Sequence, residues 1–226
     1  MSDSPDLQPL SFPQGSPASP GQASLPGRAV DDLRFIRATM ERAAAFSAIP
    51  GWGGVLMGLV AVAAAPLAGR AGTPTEWLGV WLAAAGFAAV IGAVDILRKA
   101  RYHRASLLRG PGWRFATALL PSFGAAACLT FTFAGLGLHD HLPGMWLLLY
   151  GAAALAAGPY TIRQVRVMGA TFMLLGVIAL ATQQLLQAPA SRVGADLWMV
   201  FGFGGLHVGF GAWIARATET AGDSHG

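Results

Sequence analysis

The chain has 226 residues, 54% of them hydrophobic and only 12% charged, about half the charged share of an ordinary soluble domain. Its 30 glycines lie inside apolar runs with no Gly-X-Y period, which excludes collagen and matches closely packed membrane helices. The net charge of +4 does not point to nucleic acid, because the basic side chains sit between apolar stretches rather than on one amphipathic surface.

Residues 1–27 are rich in Ser, Pro, Gly and Gln and have neither a basic start nor an apolar h-region. They are expected to form a disordered cytoplasmic tail, not a signal peptide. Residues 28–48 are expected to form an interfacial amphipathic helix. Asp31 is placed to cap it, and Leu33, Ile36, Met40 and Ala43 recur at helical spacing. Arg34, Arg37 and Arg42 take much of the other face, with Arg37 and Glu41 paired at i,i+4. The plainer alternative is a solvated helix running on into the membrane. Pro50-Gly51-Trp52-Gly53-Gly54 argues against it, by supplying a break and an interfacial Trp.

Residues 49–216 carry six stretches long and apolar enough to cross a bilayer, at roughly 51–69, 77–97, 115–137, 143–161, 168–187 and 196–215. Pro143 and Pro159 bracket the fourth and leave it the least slack. Residues 217–226 form a short second tail. An N-terminus inside the cell puts thirteen basic residues on the inner side and only Arg70 and Arg192 outside. The expected fold is therefore all-α and polytopic, with six transmembrane helices and both termini in the cytoplasm. Cys128 is the single cysteine, so no internal disulfide is available.

The even-numbered stretches resemble one another. Trp81, Gly86 and Arg98 match Trp146, Gly151 and Arg163 at identical spacings of 5 and 17, whereas Trp198, Gly204 and Arg216 are spaced 6 and 18. The odd stretches share a central glycine, at Gly58, Gly124 and Gly176. A bundle of three repeated helical hairpins would give this pattern. Interfacial Trp and inner-side Arg on any inward-running helix give most of it too, and only the glycines are extra evidence.

Two ionisable side chains stand out within the apolar stretches. His207 lies near the middle of the sixth, beside Gly204 and Gly211, at a position matched by Ala89 and Ala154 in the repeat. An imidazole at that depth is a candidate proton or ligand site. The plainer reading is a structural hydrogen bond to a hydroxyl, with Thr130, Thr132 and Thr171 as candidate partners. Asp95 sits one turn before Arg98 and Lys99, where a local ion pair competes with a cation or proton relay.

His139-Asp140-His141 has metal-capable side chains but too few of them for a site, so no metal and no cofactor are expected. Arg98, Lys99, Arg101 and Arg104 make the second loop the most basic segment. Together with Arg34, Arg37 and Arg42 they form a candidate surface for anionic lipid or a cytoplasmic protein partner. Charge that merely sets topology explains the same residues.

The stretch Arg34-Phe35-Ile36-Arg37-Ala38-Thr39-Met40-Glu41-Arg42, followed by Pro50-Gly51-Trp52-Gly53-Gly54, resembles the start of a group of uncharacterised bacterial membrane proteins. The resemblance covers about a tenth of the chain. It implies a bacterial inner-membrane location and no particular activity.

No phosphate-binding glycine loop, Cys/His ligand cluster or nucleophile beside a base is present, so the sequence leans away from an enzyme. The expected function is a non-catalytic sensor, scaffold or regulatory membrane subunit. A small solute or ion transporter, with His207 in its path, is the competing expectation.

Overall fold

A computed structural model describes residues 30–36, 51–102, 111–186 and 192–223. The chain divides into two units, residues 1–43 and 44–226. In the first, residues 30–36 are helical, and Val30, Leu33, Phe35 and Ile36 are all exposed. Arg34 lies 3.6 Å from Asp31 on the exposed surface, a pair worth little in water. Arg37, Arg42, the Arg37–Glu41 pair and the rest of the expected interfacial helix lie outside the described residues.

The second unit is helical. It comprises α1 (Trp52–Ala68), α2 (Pro74–Tyr102), α3 (Pro111–Gly135), α4 (Leu142–Ala157) and α5 (Arg163–Leu186), followed by one long rod. The rod begins as α6 (Arg192–Met199), widens into a π-helical stretch (Val200–Leu206) and continues as α7 (His207–Asp223). Among the described residues, five helices are long and apolar enough to cross a membrane. The expected first span is shorter: α1 has 17 residues and rises about 25 Å.

Local sequence sets several boundaries. Thr73 and Glu76 form a reciprocal capping box at the start of α2. Thr73 Oγ1 accepts from the Glu76 N–H at 3.1 Å, and Glu76 Oε2 accepts from the N–H groups of Thr73 and Gly72 at 3.3 and 2.7 Å. Pro74 opens that helix, where its missing N–H costs nothing. Beyond α3, Gly137 turns the chain with φ of +74°, a backbone region that disfavours side chains.

Two glycine seams hold the bundle together. Along the first, α1 crosses the rod so closely that a Cβ on Gly58 would sit 2.6 Å from the Gly204 carbonyl oxygen. A Cβ on Gly211 would sit 2.7 Å from the Val55 nitrogen. Along the second, a Cβ on Gly151 would meet the Met173 nitrogen at 2.5 Å, and one on Gly176 the Leu148 nitrogen at 2.5 Å, joining α4 to α5. Between apolar helices in lipid there is no hydrophobic driving force, so this backbone-to-backbone approach supplies the contact energy.

Of the three expected hairpins, α1–α2 and α3–α4 pack together, and α5 with the rod does not. Helix α5 lies along α4, and the rod lies along α1, while α5 and the rod touch only lightly. Two of the glycines that suggested a repeat, Gly86 and Gly124, face open space. The fourth span, which left the least slack in sequence, is the most enclosed, with 56% of its apolar window buried against 6% for α3. Pro143 lies in the first turn of α4 and Pro159 in the turn after it, so neither interrupts the helix.

The two ends of the bundle differ in chemistry. One gathers Ala64, Ala68, Trp77, Trp81, Leu142 and Ala195 into the larger apolar cluster. The other gathers Ala154, Val165 and Ile214 with Ile96, Phe115 and Ile162, close to Arg98, Arg163 and Arg216 in sequence.

Candidate functional site

Helices α2 and α3 both border a cavity of about 670 Å³ without packing closely on each other, so the cavity is a cleft between them. Small residues make room for it. Ala85, Ala89 and Gly92 form one wall on α2, and Phe123, Ala126 and Ala127 form the other on α3. Met57 of α1, Tyr150 of α4, and Phe203 and His207 of the rod close the back. Among the described residues, no charged side chain lines it.

His207 is buried at this back wall and both ring nitrogens are engaged. Nδ1 lies 2.9 Å from the Phe203 carbonyl oxygen and Nε2 lies 2.8 Å from the Tyr150 hydroxyl. A carbonyl only accepts, so Nδ1 carries the hydrogen of the neutral ring and Nε2 accepts from Tyr150. Three aromatic rings surround the imidazole: Phe203 stacks on it with an interplanar angle of 16°, and Phe172 and Tyr150 lie with centroids 5.2 Å from it.

The hydroxyl partner is not one of the threonines expected from the sequence. Thr130, Thr132 and Thr171 each donate to the carbonyl four residues back in their own helix, at 2.6, 3.0 and 2.9 Å. Such a local acceptor is always within reach of a helical threonine, whereas a tyrosine is too long to fold back on its own turn. Tyr150 was the better candidate on reach alone.

The π-helical stretch falls where the sixth span departs from the expected repeat spacing. Trp198 and Gly204 are one residue further apart than their counterparts, and the wider turn lies between Trp198 and His207. There the His207 N–H reaches the Gly204 carbonyl, and the Phe203 carbonyl accepts from the imidazole. Ala89, Ala154 and His207, equivalent in the repeat alignment, all line the one cavity.

A second polar cluster was not singled out in sequence. Asp196, at the boundary of the sixth stretch, is buried. Its Oδ1 accepts from Trp77 Nε1 at 2.7 Å and Trp81 Nε1 at 3.1 Å. Trp146 stacks on Trp77 at 6.2 Å and donates to Thr130 Oγ1 at 2.8 Å. This girdle ties α2, α3, α4 and α6 together at the tryptophan end of the cleft.

Asp95 is half-buried and lies against the first turn of α1, where a Cβ on Gly53 would come within 2.8 Å of its Oδ2. A carboxylate is favoured beside a helix N-terminus, so the Gly-Trp-Gly-Gly motif serves packing. Arg98 and Arg101 are exposed near the end of α2, Lys99 lies in the same helix, and Arg104 falls outside the described residues. His139, Asp140 and His141 form a short 3-10 turn, and no group of three metal-capable side chains occurs among the described residues.

No family model matches this chain, nor does any curated protein or solved structure. Its class therefore rests on fold and site: a helical protein with membrane-length apolar helices around an apolar cleft.

Proposed function

We propose that the chain is a non-catalytic membrane protein, a sensor or regulatory subunit, that admits a lipophilic ligand from the bilayer between α2 and α3. The observation that carries this reading is the cleft itself. Its volume of about 670 Å³ falls within the range of ligand pockets, and its lining is apolar except for a few convergent polar groups. The reading includes six spans with both termini cytoplasmic, α1 being the shortest, in the inner membrane of a bacterium. Lipid, and contact of the basic inner surface with a protein partner, complete it. The thirteen-to-two asymmetry of basic residues supports the orientation.

An alkyl diazirine dissolved in proteoliposomes and photolysed tests the reading. Met57 and Phe203 behind the cleft are expected to be labelled along with outward-facing Phe131. Filling the cleft with Ala89→Phe and Ala126→Phe should suppress labelling at the first two only. Labelling of Phe131 with none at Met57 and Phe203 overturns the proposal.

A second reading, a small transporter, draws on the position of His207 at the cavity wall. It requires His207→Ala to abolish flux of a solute across proteoliposomes while the protein stays folded.

A further inference from the structure

The polar groups facing the cleft share one property that the cleft's shape does not reveal. Among the described residues, five side chains with N–H or O–H groups line it: Trp81, Thr130, Trp146, Tyr150 and His207. Each of their hydrogens is already committed inside the protein. Trp81 donates to Asp196, Thr130 to the Ala126 carbonyl, and Trp146 to Thr130. Tyr150 donates to His207 Nε2, and His207 Nδ1–H to the Phe203 carbonyl. The direction of that last pair of bonds is forced, because the Phe203 carbonyl has no hydrogen to give.

What remains toward the cleft is therefore acceptor capacity alone. The Tyr150 oxygen keeps its lone pairs, and the Thr130 oxygen, which already takes the Trp146 N–H, keeps one. A ligand whose polar end only accepts finds no partner there, and burying an unpartnered polar group is costly. An ionised carboxylate or phosphate fares worse, since no cation or free donor lines the cleft among the described residues.

We infer that the cleft selects a neutral lipophile bearing a hydroxyl group, an alcohol or a phenol, whose O–H donates to the Tyr150 oxygen. This rests on the proposed entry of a lipophile into the cleft and specifies which kind enters. Ionised fatty acids, phospholipid headgroups and molecules whose polar end is a carbonyl are disfavoured by the same arrangement.

Protection of Met57 and Phe203 from the alkyl diazirine measures this selectivity directly. Three competitors with one tail are compared in proteoliposomes at neutral pH: octadecan-1-ol, its methyl ether and octadecanoate. The ether differs from the alcohol only in lacking the donor hydrogen. The alcohol should protect at a membrane concentration about tenfold below that of the ether or the acid. In the Tyr150→Phe/His207→Phe double variant, which keeps both rings and removes the hydroxyl oxygen together with the ring nitrogen that Tyr150→Phe alone would free to accept, the alcohol should need the same concentration as the ether.

Equal protection by alcohol and ether in the wild-type protein overturns the inference while leaving lipophile entry intact. So does an alcohol preference that survives in the double variant. If the double variant does not fold, the wild-type comparison decides alone. Absence of diazirine labelling at Met57 and Phe203 is a different failure, that of the cleft as an entry site.

Discussion

Trp77 donates its indole N–H to Asp196 across 2.7 Å and 119 positions of sequence. Trp81, one turn further along α2, donates to the same oxygen. A single carboxylate oxygen thus fastens the start of the rod to the start of α2, inside an otherwise apolar cluster.

Removing that acceptor should be severe. Asp196→Leu leaves two buried indole N–H groups without a partner, a loss of about 2–4 kcal/mol. Asp196→Asn keeps an oxygen in place and should retain most of the stability. Thermal unfolding in detergent, followed by loss of monodispersity, separates the two; equal melting temperatures for Asn and Leu would show that the oxygen carries little.

The two kinds of glycine should respond oppositely to the same change. Gly58→Ala and Gly151→Ala drive a methyl group into the facing backbone, which cannot rotate away, so losses at or above about 3 kcal/mol are expected. Gly86→Ala and Gly124→Ala meet nothing within 4 Å and should stay within about 0.5 kcal/mol of wild type. Expression and melting of the four variants test the seams, and a labile Gly86→Ala would contradict them.

The Tyr150–His207 pair should show strong coupling. His207→Phe keeps a ring of similar shape but leaves the tyrosine hydroxyl unpartnered, costing about 1–3 kcal/mol. Adding Tyr150→Phe removes the stranded group and should recover much of that loss. A double mutant whose loss equals the sum of the two singles would mean that the bond contributes nothing.

Orientation is open to a direct check. In a Cys128→Ala background, Arg70→Cys should react with a membrane-impermeant maleimide added to intact cells, and Arg101→Cys should react only after lysis. Reaction of both from outside would reverse or break the assigned topology.

These contrasts also mark how far the sequence could be read. Long apolar stretches announce membrane helices because hydrocarbon demands about 20 such residues wherever they pack, and five of the six met that length. Pairing is another matter. Gly58 and Gly124 look alike in sequence, yet one is clamped against the rod and the other faces open space, since a glycine does not encode what lies opposite. Asp196 gave no signal because its meaning depends on two tryptophans more than 100 positions away. His207 was legible as an imidazole at depth, but its partner was not. The nearby threonines drew attention, and their own helices had already claimed them.

The wide turn at Val200–Leu206 carries a last implication. Each residue in an ordinary helix advances the azimuth by about 100°, so losing one residue from this stretch would tighten it and swing everything beyond by that angle. His207 would leave the back of the cleft and another side chain would take its station. The imidazole's aim is thus a matter of register, held by one surplus peptide unit rather than by the identity of its neighbours.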